Sequence, residues 1–228
     1  MERLLAIGDI HGELSLFETL LKKAAYDPQK DQLILIGDYI DRGPDSCGVL
    51  EKVMDLHEKG AIVLRGNHEE MLLSAMDESS GSLEHWLRNG ASETIASYMG
   101  DAAAENAADV LADSEIFKKH VCFIRERDYI FQTPDYLFVH AGLDPNQPLS
   151  EMDKHTFVWI REPFFSDYRG EKTVVFGHTP TAYLHGDNDC HTVYFGDNRI
   201  IGIDGGAVFG GQLNCLELPS KHVFSVHA

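Results

Sequence analysis

A chain of 228 residues with 43% apolar and 25% charged residues has a globular composition, and at this length it buries roughly 70–75% of its unfolded surface without disulfide or metal staples. Its formal net charge of −18 repels nucleic-acid phosphates at long range, and no basic run offsets it, so a nucleic-acid partner is not expected. The longest apolar runs, such as 33–36, are far too short to span a bilayer, and no charged leader with a following apolar stretch opens the chain, so neither a membrane partner nor a signal peptide is expected.

In chain order, Arg3–Ile7 reads as a buried strand. Leu14–Ala25 carries a helical apolar stripe at Leu14, Phe17, Leu20 and Leu21, and Gln32–Ile36 is the next strand. Asp45 or Ser46 caps a helix running to about Glu58, and Ala61–Leu64 is a third strand. This β-α-β-α-β order predicts a parallel sheet with right-handed crossovers. From about 69 to 119 the pattern becomes Ala- and Glu-rich, which predicts short helices forming a cap-like segment. Strands resume at Asp128–Gln132 and Tyr136–Val139, joined by a turn at Thr133-Pro134-Asp135. Thr173–Phe176, His191–Phe195, Ile200–Ile203, Gln212–Leu218 and His222–Val226 complete the set, with turns at Gly196-Asp197-Asn198 and Pro219-Ser220. The expected architecture is α/β: one domain over 1–228, with two packed sheets and outer helices. Cys47, Cys122, Cys190 and Cys215 are widely spaced with no C-x-x-C pair, as in a reduced, cytoplasmic protein.

Five short clusters each follow an apolar run. They are Gly8-Asp9-Ile10-His11-Gly12, Gly37-Asp38-Tyr39-Ile40-Asp41-Arg42-Gly43, Gly66-Asn67-His68-Glu69, His140-Ala141-Gly142 and Gly177-His178. Strand ends of open α/β sheets are where such folds build sites. Asp9, His11, Asp38, Asn67, His140 and His178 supply imidazole and oxygen donors without thiolate, which suits Mn, Fe, Zn or Ni. Six ligands exceed the needs of one tetrahedral ion and suit two, with one carboxylate bridging. Two such ions can hold a bridging water, lower its pKa towards about 7 and clamp an in-line phosphoryl displacement. Arg42, on the loop of Asp38, has the planar fork that binds phosphate bidentately, and Arg161 in Trp159-Ile160-Arg161 is a second candidate clamp. His68 follows Asn67 and suits a proton donor to the leaving group, with Asp41 as its natural partner. The remaining eight histidines read as surface or packing residues, and Trp86 and Trp159 as core or cleft packing.

With these clusters in this order, GDIHG, GDYIDRG, GNHEE, HAG and GHTP, the chain resembles the phosphoprotein phosphatase branch of the calcineurin-like metallophosphoesterases, in its compact bacterial and bacteriophage-lambda form. The resemblance spans essentially the whole chain. It implies two mixed β-sheets flanked by helices, and two divalent ions, Mn above all. Asp9 and His11 would hold the first ion, Asp38 would bridge, and Asn67, His140 and His178 would hold the second. His68 would be the general acid, oriented by Asp41, and Arg42 and Arg161 would bind the phosphoryl oxygens. The implied substrate is a phosphoserine or phosphothreonine protein, with some phosphotyrosine activity. Hydrolysis of a dinucleoside polyphosphate such as diadenosine tetraphosphate on the same metals is the alternative. The stretch Gly202–Ala207 departs from the loop that eukaryotic members place beside their active site.

Overall fold

Two sheets of five strands each meet face to face in the computed structural model, which describes residues 3–77, 81–99, 111 and 113–228. The first sheet has the order β10-β9-β1-β2-β3, from β1 (Arg3–Ile7), β2 (Asp31–Leu35), β3 (Ile62–Val63), β9 (Gln212–Leu218) and β10 (His222–His227). β1, β2 and β3 run parallel, while β9 lies antiparallel to both β1 and β10. The second has the order β4-β5-β6-β8-β7, from β4 (Ile130–Gln132), β5 (Tyr136–Val139), β6 (Thr173–Phe176), β7 (Tyr194–Phe195) and β8 (Ile200–Gly202). There β5, β6 and β8 are parallel and the two outer pairs antiparallel. All three expected hairpins form, β4–β5 across Thr133–Asp135, β7–β8 across Gly196-Asp197-Asn198 and β9–β10 across Pro219 and Ser220.

Alternation along the strands explains the sandwich. Ala6, Ile34, Ile36, Leu216 and Leu218 of the first sheet point at Phe138, Val175, Ile201 and Ile203 of the second, all buried. The opposite face of the first sheet packs Leu5, Ile7, Leu33 and Leu35 against the stripe Phe17, Leu20 and Leu21 of α1 (Leu14–Lys23) and Val49, Leu50 and Val53 of α2 (Ser46–Glu58). Asp45 is the cap of α2, accepting a bond from the Gly48 amide at 2.8 Å. The outer face of the second sheet packs Leu137, Val139, Val174 and Phe176 against Phe157 and Val158 of α7 (Lys154–Trp159) and Phe164 of α8 (Phe164–Asp167).

The Ala- and Glu-rich stretch is helical where described: α3 (Asn67–Met76), α4 (Ser82–Arg88), α5 (Ala91–Met99) and α6 (Glu115–Arg125). Its parts at 78–80, 100–110 and 112 lie outside the described residues. Strand ends differ from the sequence reading by a residue or more. β3 and β7 are the shortest, two residues each: β7 begins at Tyr194 and not at His191, and β3, an edge strand, pairs only with β2, at Ile34↔Ile62 and Leu35↔Val63. Leu64, expected within the strand, instead bridges to Asp128. The C-terminal ends of β1, β2 and β3 and of β5, β6 and β8 open onto one edge of the sandwich, and all five clusters lie there.

Candidate metal centre

The loops at this edge are held in conformations that side chains seldom adopt. Asp9, His11, Asp38, Asp41, Arg42 and His178 all have positive φ, between 44° and 72°. Strain of this kind costs about 1–3 kcal/mol per residue and persists where the surroundings over-determine it, typically at functional sites. Backbone bonds between loops supply that support: Asp9 N–H donates to Gly37 O at 3.0 Å, His11 N–H to Asp38 O at 3.0 Å, and Gly177 N–H to His140 O at 2.8 Å. Two cluster glycines make room for carboxylates. A Cβ at Gly66 would stand 2.1 Å from Asp38 Oδ1, and one at Gly177 would stand 1.9 Å from Asp9 Oδ2.

Asp38 is the centre of the arrangement. Its Oδ2 lies 3.5 Å from His11 Nε2 and 3.9 Å from His68 Nε2, and its Oδ1 lies 3.4 Å from His140 Nε2. Two buried triads share it, His11–Asp38–His68 and Asp38–His140–His178, with the donor atoms of each within 4.8 Å of one another. Asn67 Oδ1 closes the second group, 2.9 Å from His140 Nε2 and 2.8 Å from His178 Nδ1. Asp9 flanks this group, accepting the His178 amide on Oδ1 at 2.7 Å.

Two ring orientations are fixed from behind. His11 Nδ1 sits 2.8 Å from Ile40 O and His140 Nδ1 3.0 Å from Ile36 O. A carbonyl can only accept, so each Nδ1 carries a proton; the Nε2 of His11 presents a lone pair to the centre, and that of His140 does so once the proton it donates to Asn67 Oδ1 is displaced. Arg42 Nη1 donates to the lone pair of His11 Nε2 at 2.9 Å.

Charge and solvation make this a cation site. Burial, with Asp204 and Asp38 close by, drives Asp9 well above the usual carboxylate range. Its Oδ2 is buried without a hydrogen-bond partner, as is His178 Nε2. Orphaned buried polar atoms of this kind call for an ion. Burial alone would raise Asp38, but His140, His68 and His11 outweigh it and hold its carboxyl well below the usual range. Burial and the neighbouring imidazoles lower His11 to about 3 and His178 to about 2, so both are neutral donors at pH 7. Burial also works against a charge on His140, yet Asp38 and Asp9 together lift it to about 9. The donor set, oxygen and imidazole without thiolate, fits divalent transition ions.

His68, a member of the first triad by distance, is also paired with the buried Asp41. His68 Nδ1 is 2.6 Å from Asp41 Oδ2, which leaves Nε2 facing Asp38. Burial lowers His68 to about 4 and pushes Asp41 up to about 7. Arg161, the second expected clamp, is exposed at the rim, with Nε 3.1 Å from Thr179 Oγ1 next to His178.

Four further carboxylate or donor residues went unassigned in the sequence reading. Glu69, completely buried, accepts the amides of Asp38, Tyr39 and Gly66, each at 2.8 Å, and so pins the Asp38 loop. Its position at the third residue of a helix is a capping signal that the sequence does carry. Asp204 is buried behind β8, and burial raises it to about 6. It too follows an apolar run and precedes glycine, the same signal as the five clusters. Trp86 and Thr94 both donate to Asp41. Trp86 is thus core, as expected, and also a polar partner. Phe209, close to the departing stretch Gly202–Ala207, lies with its ring 5.2 Å below the Arg42 guanidinium.

Comparison with known proteins agrees with this geometry. The family model of the calcineurin-like phosphoesterases matches residues 2–210. Serine/threonine-protein phosphatase 1 of Salmonella typhimurium is 35% identical over 215 residues, covering 91% of this chain and 88% of that one. The asymmetrical bis(5'-nucleosyl)-tetraphosphatase PrpE of Bacillus thuringiensis is 29% identical over 249 residues, covering 96% and 92%. A crystal structure provisionally assigned as a diadenosine tetraphosphatase superposes with a TM-score of 0.71 at 23% identity, covering 100% and 94%, and shares the fold. With two sheets converging their parallel strand ends on an Asp–His–Asn cluster, and a family match over nearly the whole length, the chain belongs to the calcineurin-like phosphoesterase family.

Proposed function

We propose that the chain is a metal-dependent protein phosphatase that hydrolyses phosphoserine and phosphothreonine, and to some extent phosphotyrosine, with two Mn ions as its working metals. The observation that carries this reading is the His68–Asp41 pair, 2.6 Å apart, set with its free Nε2 on the shared carboxylate of two metal-ligand triads. A monoester needs its leaving oxygen protonated, and a buried imidazole held by a carboxylate is suited to that task. Asp9 and His11 would hold one ion and Asn67, His140 and His178 the other, with Asp38, shared by the two triads, serving both. When bound, the ions supply Lewis acidity towards the phosphoryl oxygens and a water acidic enough to attack. Arg42 and Arg161 orient the phosphoryl group through its peripheral oxygens. Ionised Asp41, accepting from Nδ1, would stabilise the imidazolium form of His68 against the burial that opposes it, and that form would pass its Nε2 proton to the departing serine or threonine oxygen.

The 35% identity to a serine/threonine phosphatase supports the substrate class. A second reading, cleavage of a dinucleoside tetraphosphate, has its own support in the relatives named for that activity over 96% of this chain. Against it stands the Asp41-Arg42-Gly43 turn, where Asp41 holds His68. The compartment goes with the leading reading: four free thiols accord with a reducing cytoplasm. Among the described residues no helix is long and apolar enough to cross a membrane.

The deciding experiment assays Mn-loaded and chelated protein on a phosphothreonine peptide, a phosphotyrosine peptide and diadenosine tetraphosphate. Metal-dependent phosphate release mainly from the peptides is expected. Preference for the dinucleotide would retain the metal centre and replace the substrate class.

A further inference from the structure

Beside the metal centre a groove of about 320 Å³ runs between α3, α4 and α7, lined by Glu70, His85, Lys154, His155, Val158 and Trp159. Two contacts tie it to the chemistry. The Trp159 ring meets His178 edge-on at 5.8 Å, and His85 immediately precedes Trp86, whose indole bonds the Asp41 that holds His68. The groove therefore opens on the side of His68, the side from which a leaving group departs. Its walls are rings: His85 lies 6.1 Å from Trp159, and His155 stacks on Trp159 at 6.1 Å with 23° between planes. Lys154 lies 3.2 Å from Glu70, so the lining carries one charge of each sign.

We infer that this groove is a leaving-group subsite that takes an aromatic ring, the phenol of a phosphotyrosine peptide, against Trp159. The inference rests on the phosphomonoesterase reading above and names a substrate preference within it. Offset or edge-on ring contacts favour an aryl group over the short alkyl arm of serine or threonine. A polyphosphate chain would need net positive charge there, and in this lining the Lys154 ammonium is offset by the Glu70 carboxylate. In the reaction, water oxygen forms the new bond to phosphorus while the P–O bond to the phenol breaks. The bonding pair goes to the phenolic oxygen, which leaves as phenol after taking one proton, and inorganic phosphate is the other product.

The test compares kcat/KM for matched phosphotyrosine and phosphothreonine peptides in the Mn-loaded protein and in Trp159→Ala, Trp159→Phe and His85→Ala. The phosphotyrosine-to-phosphothreonine ratio should fall about threefold to tenfold in Trp159→Ala, the size of one aromatic contact, and return in Trp159→Phe. Equal losses on both peptides would show that Trp159 only supports His178, and would overturn the inference. Because that variant touches a metal-site residue, the unmutated protein provides a second measurement. Phenylphosphonate should inhibit at least about threefold more tightly than methylphosphonate, and equal inhibition would overturn the subsite. If the unmutated protein hydrolyses neither peptide, the functional reading itself fails, which is a different outcome from an unchanged ratio.

Discussion

Trp86 donates its indole N–H to both carboxylate oxygens of Asp41, at 3.0 and 2.9 Å, from a helix 45 residues further along the chain. Thr94 Oγ1 adds a third bond to Oδ1 at 2.6 Å, and the Asp41 amide in turn donates to Ser46 Oγ and Thr94 Oγ1. Asp41 is thus locked in position, and the same bonds resist the effect of burial. Desolvation pushes its carboxyl up to about 7, while Thr94 and Trp86 pull it down.

Removing Trp86 therefore has a signed consequence. The active pair needs Asp41 ionised, so activity is lost as pH falls through the Asp41 pKa. Without the indole donor that pKa rises, and the acidic limb of the pH–rate profile moves to higher pH. Trp86→Phe should shift the limb upward and lower kcat at neutral pH by roughly 10-fold to 100-fold, the worth of a hydrogen bond to a charged group. Bound metal should be unchanged. A variant with lower kcat but an unmoved limb would show that Trp86 acts through packing alone.

His68→Asn separates acid from ligand. The variant should retain its metal and lose about 10²–10⁴ in rate on a phosphothreonine peptide, the usual share of a general acid. On a phosphotyrosine peptide the loss should be smaller, because a phenol with a pKa near 10 leaves with less help from a proton. Metal analysis together with the two rates tests this. A variant stripped of metal would mean that His68 is a ligand of the first triad, where its Nε2 stands 3.9 Å from Asp38.

How much of this was readable beforehand depends on the range over which each feature is encoded. Strands such as Arg3–Ile7, Tyr136–Val139, Thr173–Phe176 and Gln212–Leu218 are local apolar runs, and the structure has them at those bounds. The metal-side clusters are local as well, since each needs Asp, Asn or His within a few residues of a strand end. Asp204 follows the same rule after β8 and was overlooked only because it stands alone. Trp86, Thr94 and Phe209 are different. Each meets its partner through the packing of a helix or loop that no linear pattern specifies, and nothing marks Trp86 as more than a core aromatic. The length of β3 is likewise a matter of partners: an edge strand ends where β2 stops pairing, whatever its own apolar run.

Metal affinity should depend on pH through His140. Its neighbours raise it to about 9, so below that pH the metal-free protein carries an imidazolium whose proton a metal must displace. His11 at about 3 and His178 at about 2 are already neutral and release nothing above pH 5. Apparent Mn affinity should thus rise about tenfold per pH unit for each proton displaced and level off above about 9, the proton of His140 being joined by that of Asp9, whose carboxyl burial also holds well above the usual range. Calorimetry in buffers of different ionisation enthalpy measures those protons directly. Release of none at pH 7 would place a neutral His140 and an ionised Asp9 in the metal-free protein.

Gly177→Ala tests whether Asp9 has any freedom to move. The added Cβ would stand 1.9 Å from Asp9 Oδ2, the buried oxygen that lacks a partner, and Oδ1 is fixed by the His178 amide at 2.7 Å. The carboxylate can clear the methyl only by turning away from the centre or by dragging His178 with it. Either movement displaces a donor while leaving the sheets intact, since Gly177 lies beyond β6 rather than within it. The variant should fold, at a cost of about 1–3 kcal/mol in stability. Its Mn affinity should weaken by about 10-fold to 100-fold, as when a group orienting a metal ligand is disturbed. Thermal melting with and without excess Mn reads both quantities. Saturating Mn should restore most of the rate if Asp9 is merely misplaced, and an unchanged Mn affinity would remove Asp9 from the ligand set.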